Sequence, residues 1–582
     1  EIWKEVLETS KVSINDNFFE IGGHSLKATV LTSKIYKEMA IEVPLSQVFN
    51  MPNLKALADY IRNSDKCVYS SIKKAERKDY YPVSSAQRRM FVLNRLEDEG
   101  TTYNLPFFRM VKGQLNIKQL EEAFKILIRR HGSLRTSFDV VDNEPVQRIH
   151  EHVDFNIIFY EEDEDKLDDI IKIFVKPFDL SKAPLMRVGL VKTGSDSHLF
   201  MFDMHHIISD GVSMNILIKE LTALYKGKDF PELQLQYNDF SEWQNQLLKT
   251  DLIKKQETYW LEVLKGDIPV LNFPTDYQRT PFQTFDGDKV FFEVGESLLE
   301  SLSNIASKTG ATLYMILLAA YNVLLAKYTS QEDIIVGSPT AGRSREDLEN
   351  IIGMFVNTIV MRSFPSSTKT YLEFLQETKQ NALKAFENQD YQFEMLVDKL
   401  ELNMNHSRNP LFDVFFAYEN LDISEIKLGE AEFIPYEYKN RISKFDITLF
   451  IGEKKKGLKL EFEYNINLFK RETIERMGVH FINILKQIAQ DPLITLSEID
   501  ILTHQERSKI LFDFNNNQVE HDFSKTIHSL FEEAVKKGPG NIALCIGEEE
   551  LTYRGLNEKS NQMARSLREK GVRPGSIIGI MA

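Results

Sequence analysis

Two adjacent histidines, His205 and His206, are the residues of this chain best suited to acid–base chemistry, and Asp210 and Gly211 follow them closely. A neutral imidazole can accept a proton or a hydrogen bond near neutral pH. A buried histidine is more often a core residue than a base, and that interpretation stays open for His205. The histidine pair predicts a polar site at which a proton is transferred or held.

Metal binding is one chemistry that a histidine pair could support. The apolar run at residues 200–204 is typical of a strand and residues 214–224 have helical periodicity, so the histidines should lie where a strand ends. Successive side chains on an extended backbone point to opposite faces, so adjacent histidines cannot easily share one ion. No cluster of Cys or carboxylate residues completes a ligand set. The sequence therefore predicts no metal site.

Ser25 is another residue that could carry chemistry. It follows Gly22, Gly23 and His24 and opens an amphipathic helical pattern. The first N–H groups of a helix lack partners within the helix, and the helix dipole favours an anion. A phosphate ester on Ser25 would therefore be accommodated. Composition alone favours a simpler role, that of a helix cap after a glycine-rich turn.

The composition narrows the possible partners and location. A chain of 582 residues is too long for one hydrophobic core, and its net charge of -15 argues against nucleic-acid binding. It has no apolar run of about eighteen residues and no secretory signal, so we expect no membrane partner. Cys67 and Cys545 lie far apart in sequence and suit a reducing compartment. A cytoplasmic location is therefore expected.

The periodicity predicts several domains in order along the chain. Residues 1–63 form a small all-α bundle, and residues 64–79 form a polar linker. Residues 80–505 form a mixed α/β region with an N-lobe at about 80–265 and a C-lobe at about 266–505. Residues 506–582 begin a further domain that stops before it is complete. Both ends of the chain are predicted to be cut from a longer protein.

The first segment resembles the peptidyl carrier proteins of nonribosomal peptide synthetases. The similarity covers residues 1–63 and rests on the motif Phe18-Phe19-x-x-Gly22-Gly23-His24-Ser25-Leu26. It implies a four-helix bundle in which a phosphopantetheinyl transferase attaches 4'-phosphopantetheine to Ser25. An upstream adenylation domain would then load this arm with an aminoacyl or peptidyl thioester. His24 and Leu26 would face the transferase or partner domains, although a packing role for Leu26 is equally consistent.

The large region resembles the condensation domains of the same synthetases, which are relatives of chloramphenicol acetyltransferase. The signature is His-His-x-x-x-Asp-Gly at residues 205–211. The further segments that match in order are residues 85–91, 130–138, 237–240 with Trp243, 352–358 with Arg362, 389–394 and 407–412. The resemblance implies two acetyltransferase-like lobes in a V shape, with a tunnel that admits a carrier arm from each face.

The same resemblance implies roles for individual residues. His206 would be the catalytic histidine, His205 scaffold, and Gly211 a residue that leaves space near the reacting groups. Asp210 would be structural and held by an arginine, for which Arg89, Arg135 and Arg362 are candidates. A separate set lies in motifs that should support the tunnel: Arg135, Asn357 and Arg362.

The reaction implied is peptide-bond formation, with the donor thioester on Ser25 and the acceptor amine on a downstream carrier outside this chain. His206 could act as a general base or could position the amine, and the sequence leaves both roles open. Residues 207–209 and Val212 favour the subtype that accepts an L-configured donor. Residues 551–556 resemble the opening of an adenylation domain, the usual successor of a condensation domain.

Two other functions stay open. Epimerization domains share the double histidine, but their carriers often have Asp where this chain has His24, and Asn357 sits in an intact Phe-Val-Asn-Thr segment. The region could also be a catalytically silent docking platform. The intact His206, Asp210 and Gly211 argue against that alternative.

Overall fold

The computed structural model describes residues 1–582 apart from short gaps at 67–70, 97–99, 162–165, 195, 403–404, 420–425, 437, 439–440, 455, 518, 521 and 582. Cys67 lies outside the described residues. The chain divides into two compact units, Glu1–Leu502 and Thr503–Ala582.

Residues 1–63 form the helical domain that the sequence predicts. Its described helices are α1 (Ile2–Leu7), α2 (Ser25–Met39), α3 (Leu45–Asn50) and α4 (Leu54–Arg62). Apolar residues from the helices and from the loop before α2 meet in a core in which Phe18, Leu31 and Val48 are fully buried. Because the helices are short, their stability depends on this shared core more than on helix propensity.

The N-lobe is an α/β layer that follows a linker. Its helices are α5 (Ser85–Leu96), α6 (Ile117–Arg130), α7 (Leu167–Phe174), α8 (Gly211–Tyr225) and α9 (Tyr237–Leu247). Its strands are β1 (Tyr81–Pro82), β2 (Phe107–Lys112), β3 (Thr136–Val141), β4 (Glu144–Ile149), β5 (Ile158–Glu161), β6 (Met186–Gly194) and β7 (Ser197–Met204). The end of the predicted linker is packed: Ile72 is buried, and the Ala75 N–H donates to Asp239 Oδ1 at 2.8 Å.

The C-lobe has the same layered design. Its helices are α10 (Asp251–Val263), α11 (Glu296–Thr309), α12 (Leu313–Thr329), α13 (Tyr371–Glu387), α14 (Phe393–Lys399) and α15 (Arg471–Gln490). The strands in this part of the chain, in order, are β8 (Gly287–Gly295), β9 (Ile334–Thr340), β10 (Asn357–Ser363), β11 (Val414–Glu419), β12 (Ile426–Leu428), β13 (Ala431–Pro435), β14 (Ile447–Lys454) and β15 (Gly457–Asn465). Helix α12 is apolar on nearly all sides because it lies in the centre of the core.

The two lobes share a strand pair. One sheet has the order β10-β9-β11-β14-β15-β8, and the other has the order β12-β13-β2-β7-β6-β5. Strands β12 and β13 follow C-lobe strands in the chain but complete the N-lobe sheet, where Phe433 pairs with Val111. Helix α10 precedes residue 265, yet its Trp260 lies in the C-lobe core. A linear boundary at residue 265 therefore needs correction at these two places.

The second unit has a small α/β arrangement. Its elements are α16 (His504–Ser508), a π-helical turn (Lys509–Asp513), α17 (Ile527–Lys537), β16 (Ile542–Ile546), β17 (Glu549–Thr552) and α18 (Tyr553–Glu569). The two strands pair antiparallel. In chain order, α17 precedes the strand pair and α18 follows it.

Among the described ranges, no single helix is long and apolar enough to cross a membrane. The pair Glu296–Thr309 and Leu313–Thr329 reaches the required length only together, and a bend of 106° separates its halves.

Candidate active site and carrier attachment site

His206 lies immediately after β7, in a short 3-10 turn, His206–Ile208. Its backbone N–H donates to the Tyr103 carbonyl at 2.8 Å, and its side chain is half-buried. Its Nδ1 lies 2.8 Å from the Ser209 carbonyl oxygen, which can only accept a hydrogen bond. Nδ1 therefore carries the ring proton, and Nε2 has the free lone pair. The turn fixes both the tautomer and the direction of the ring.

The electrostatic surroundings keep His206 neutral. Burial, and next to it the positive charge of Lys444, lower the pKa of His206 to about 4, against smaller opposing effects of the Ser209 hydrogen bond and Asp210. At neutral pH the ring is consequently an acceptor at Nε2 and is not a cation.

His205 is almost completely buried next to the site. It is only 1% exposed, and its Nδ1 accepts from the Ile207 N–H at 3.1 Å. Its Nε2 lies 3.4 Å from Asn94 Nδ2, and the ring meets Phe178 edge-on. Burial, with smaller effects of His206 and Lys444, lowers the pKa of His205 to about 3. These contacts engage both ring nitrogens and leave the ring facing the protein interior.

Asp210 is a fully buried carboxylate that caps α8. Its Oδ1 accepts from the Ser213 N–H at 2.7 Å, and its Oδ2 accepts from the Phe355 N–H at 3.0 Å. Arg343 Nη2 lies 3.3 Å from Oδ1 and also donates to Ser213 Oγ at 2.9 Å. Arg343 comes from the loop between β9 and β10, so this pair joins the C-lobe to the turn that carries His206.

None of the three arginines predicted as partners of Asp210 pairs with it, so that prediction was wrong. Arg89 pairs with Glu394, and Arg135 donates to the His150 carbonyl. Arg362 pairs with Asp333 and donates to the carbonyl groups of Val263, Lys265 and Asp267. These residues stabilise other parts of the lobes. Arg343 was missed because the sequence pattern gives no sign of which loop crosses between the lobes.

The Arg343 loop, residues 341–356, is held against the N-lobe by close packing. Arg343 Nη1 donates to the carbonyl groups of Leu348 and Ile351 at 2.6 and 2.7 Å, and its guanidinium stacks 3.9 Å from the Phe355 ring centre. Gly342 has a φ of +64°, and a Cβ there would lie 1.8 Å from the Phe355 carbonyl oxygen. Only glycine fits this close approach. The loop therefore has one well-defined conformation.

Asn357 and Gly211 do not take part in the contact between Asp210 and Arg343. Asn357 Nδ2 donates to the carbonyl groups of Gln389 and Tyr391, and its Oδ1 accepts from the Phe393 N–H. It therefore fixes the segment before α14, and its support of the tunnel stays a prediction. Gly211 is the exposed first residue of α8.

Ser25 begins α2 and lies against the C-lobe. Its hydroxyl donates to Thr312 Oγ1 at 3.3 Å, and Thr312 is the N-cap of α12. The N-cap of α2 is His24, whose Nδ1 accepts from the Lys27 N–H. Burial, with a smaller effect of Lys27, lowers the pKa of His24 to about 4. The half-buried hydroxyl at the N-terminal end of α2 and the first amides of that helix fit a phosphodiester on Ser25.

Ion pairs and hydrogen bonds join the helical domain to the C-lobe. Lys34 lies 3.1 Å from Glu346, and Lys37 lies 2.9 Å from Asp347. The Glu346 N–H donates to Ser33 Oγ at 2.7 Å. Further contacts are those of Ser46 N–H with Glu387 and of Ser307 Oγ with Glu20. We call the group Lys34, Lys37, Glu346 and Asp347 the docking ion pairs.

No group of three His, Cys, Asp or Glu residues that could hold an ion occurs in the part of the chain that the structure covers.

Three protein families match consecutive parts of the sequence. Residues 1–61 match a phosphopantetheine attachment site, and residues 77–511 match a condensation domain. Residues 531–582 match an AMP-binding enzyme.

Curated relatives match the whole chain. Gramicidin S synthase 2 of Aneurinibacillus migulanus is 50% identical over 582 residues, which is 100% of this chain and 13% of that protein. Bacitracin synthase 3 of Bacillus licheniformis is 47% identical over 580 residues, which is 100% of this chain and 9% of that protein. The chain thus spans only a small part of the length of these relatives.

A solved structure has the same fold. A holo four-domain nonribosomal peptide synthetase bound to AMP and glycine has a TM-score of 0.74 at 23% identity. The match covers 85% of this chain and 39% of that one.

Proposed function

The chain belongs to the condensation-domain family of nonribosomal peptide synthetases, and from this membership we propose that it forms a peptide bond between two carrier-bound aminoacyl groups. The observation that carries the proposal is the state of His206. Its Nδ1–H donates a hydrogen bond to the Ser209 carbonyl oxygen. Nε2 is therefore unprotonated and can accept a hydrogen bond where the lobes meet. An attacking amine needs such an acceptor for its N–H.

The covalent step is the aminolysis of a thioester. The acceptor nitrogen attacks the donor carbonyl carbon, a C–N bond forms, and the C–S bond breaks. The proton lost by the amine ends on the departing thiolate, so no oxidant or other reactant is needed. The product is an amide on the acceptor carrier and a free thiol on the donor arm. A covalent acyl-enzyme is unnecessary because the donor arrives already activated.

Ser25 carries the donor arm in this proposal. The 4'-phosphopantetheine that it receives supplies a flexible chain with a terminal thiol for the thioester. The chain's own contribution is to hold the attachment point against the C-lobe, through the Ser25–Thr312 contact and the docking ion pairs. Docking raises the effective concentration of the donor at the site.

The role of His206 is more specific than that of a strong base. An α-amine has a reference pKa near 8, so about a tenth is neutral at pH 7. With its own pKa lowered to about 4, His206 is a weak proton acceptor for the resting amine. It is better suited to accept a hydrogen bond from the neutral amine, which aligns the nitrogen lone pair with the carbonyl. Asp210 and Arg343 keep the turn in place and do not exchange protons.

The partners and location follow from the same proposal. A phosphopantetheinyl transferase modifies Ser25, an upstream adenylation domain loads it, and a downstream carrier presents the acceptor. The relatives are named for gramicidin S and bacitracin synthesis, so the product class proposed is a peptide. The L-donor subtype rests on residues 207–209 and Val212. We place the reaction in the cytoplasm because the two cysteines of the sequence suit a reducing compartment.

A two-carrier assay tests the proposal. Ser25 of the purified chain is first loaded with an L-aminoacyl 4'-phosphopantetheine. The loaded chain is then mixed with a separate aminoacyl carrier, and both carriers are analysed by intact mass. We expect a dipeptidyl thioester on the separate carrier and a free thiol on Ser25. A Ser25→Ala chain should give neither loading nor product.

The other outcomes identify the rival functions. Conversion of the L-residue on Ser25 to its D-form without transfer would support an epimerase. Binding of the second carrier without product or epimerization, by a chain whose loading is complete, would support a silent docking platform. Either result would overturn peptide-bond formation.

A charge swap tests the docking ion pairs. In the variant Lys34→Glu with Lys37→Glu, two attractions become repulsions, and we expect condensation at limiting acceptor to slow by about tenfold, or about 1.4 kcal/mol. The compensating changes Glu346→Lys and Asp347→Lys should restore most of the rate. The rates are measured after equal loading of Ser25, established by intact mass.

The matched control is Lys55→Glu, an exposed lysine on α4. Its rate should equal that of the unchanged chain. If the control slows as much as the double reversal, net charge governs the effect and the docking ion pairs do not.

A further inference from the structure

Lys444 reaches the histidine site from the C-lobe. It lies three residues before β14, and its ammonium lies 4.7 Å from the centre of the Tyr103 ring. Tyr103 belongs to the N-lobe, and its carbonyl accepts the backbone N–H of His206 at 2.8 Å. One residue therefore contacts both the lysine and the histidine. The Lys444 side chain consequently places a positive charge beside the turn that carries His206.

The backbone around Lys444 is held firmly. The Lys444 carbonyl accepts from Gln283 Nε2 at 3.0 Å, and the N–H of the neighbouring Ser443 donates to the Phe285 carbonyl at 2.8 Å. Two residues further on, Asp446 is paired with Arg279 and its N–H donates to the Asp413 carbonyl. The backbone that carries the Lys444 side chain is thus fixed by hydrogen bonds, which limits the positions that the ammonium can reach.

Several other charged groups face this region. Asp210 approaches His206 from the start of α8, and His205 is its neighbour in the chain. Asp203 on β7 is buried beside His205 and is paired with Arg187. On the Lys444 side, Glu463 is paired with Lys289 and interacts electrostatically with Lys444. Asp203 and Glu463 are thus paired with other cations, of which Lys289 is shared with Glu461, and Asp210 is paired with Arg343.

We propose that Lys444 is a positioning residue for peptide-bond formation: its ammonium, held over Tyr103 beside the turn that carries His206, disfavours positive charge on the His206 ring and on the attacking amine, and thereby extends the reaction to more acidic pH. This inference rests on the proposed function. It assigns Lys444 an electrostatic action through His206, without contact with the reacting atoms.

The same charge acts on the incoming acceptor. A cation near His206 disfavours the protonated, non-nucleophilic form of the amine and favours the neutral form that can attack. Lys444 therefore favours the reactive ionization state of both partners in one hydrogen bond. Because burial is the larger cause of the lowered pKa of His206, a neutral residue of similar length in this position would raise the acid limit of the reaction without emptying the space.

The pKa of His206 can be measured in the absence of substrate. Diethyl pyrocarbonate modifies only a neutral imidazole, so the modification rate of the His206 peptide against pH, followed by mass spectrometry, reports its pKa in the intact chain. In Lys444→Met we expect the midpoint to move up by about one pH unit relative to the unchanged chain, because removal of a nearby cation favours protonation. Lys444→Arg, which keeps the charge, should have the unchanged midpoint. Exposed His152 serves as the internal reference for reagent concentration.

The condensation rate gives a parallel measurement. With an aminooxy acceptor, whose weakly basic nitrogen stays neutral across the range, the acid limb of kcat should move up by the same amount in Lys444→Met. An unchanged midpoint and an unchanged acid limb, or a rate lowered equally at every pH, would overturn the role of Lys444. An unchanged chain that makes no peptide would instead overturn the proposed function, while the modification experiment would still decide the effect of Lys444 on His206.

Discussion

Replacement of His206 by alanine is expected to slow dipeptide formation by about 100-fold to 10,000-fold, while loading of Ser25 is unchanged. In the proposed reaction, the ring presents its unprotonated Nε2 to the attacking amine as a hydrogen-bond acceptor. Alanine leaves the backbone contact with Tyr103 in place, so the turn should keep its shape. The measurement is the single-turnover rate in the two-carrier assay, with loading followed by intact mass.

A second substitution separates the two possible roles of this histidine. The side-chain amide of His206→Gln can reach the position of Nε2 and accept a hydrogen bond, but it cannot take up a proton at neutral pH. Because the pKa of His206 is lowered to about 4, we expect the glutamine variant to be clearly faster than the alanine variant. Equal rates for the two variants would indicate general-base catalysis. The exposed His152→Ala serves as control, and undiminished condensation by His206→Ala would contradict the assignment of the site.

Replacement of Arg343 by methionine is expected to destabilise the chain by about 3 to 5 kcal/mol, because it leaves the buried Asp210 carboxylate without its cation. Arg343 is 6% exposed and Asp210 is fully buried, so solvent screens the pair little. The loss should appear as a lower urea midpoint, followed by tryptophan fluorescence. Trp243 is a suitable reporter because it packs on Phe240, which contacts Phe355 of the Arg343 loop.

The companion change Asp210→Asn tests whether the unpaired carboxylate charge of Asp210 causes the loss of stability in Arg343→Met. In the double variant both charges are gone, and the penalty should be partly recovered, with a coupling energy of about 1 to 3 kcal/mol. Arg89→Met is the matched control, since Arg89 and Glu394 are both 29% exposed and such a pair contributes less than about 1 kcal/mol. Additive effects of the two single changes, or equal losses in Arg343→Met and Arg89→Met, would contradict the coupling.

The sequence predicted those features that local patterns determine. The apolar run before the histidine pair is a strand, β7, and the helical periodicity after it corresponds to α8. Ser25 opens α2, as the amphipathic pattern after the two glycines predicts. Order along the chain and short-range periodicity were sufficient for each of these features.

The partner of Asp210 could not be predicted in the same way. Several arginines lie near motifs, and their choice depends on which loop of one lobe crosses to the other. The same holds for Thr312 and Lys444, which approach Ser25 and His206 from positions more than two hundred residues away in the chain. Contacts of this kind depend on the tertiary arrangement, for which a single sequence contains no periodic signal.

The strand pair shared between the lobes has a consequence for biosynthesis. Strand β2 must wait for β13, which the ribosome makes about 320 residues later, or some tens of seconds at ordinary elongation rates. During that interval the β2 edge has unpaired backbone groups and is a template for intermolecular association. The N-lobe therefore completes its sheet late in translation, after part of the C-lobe has emerged. A fragment that ends near residue 265 lacks the segment that closes this edge.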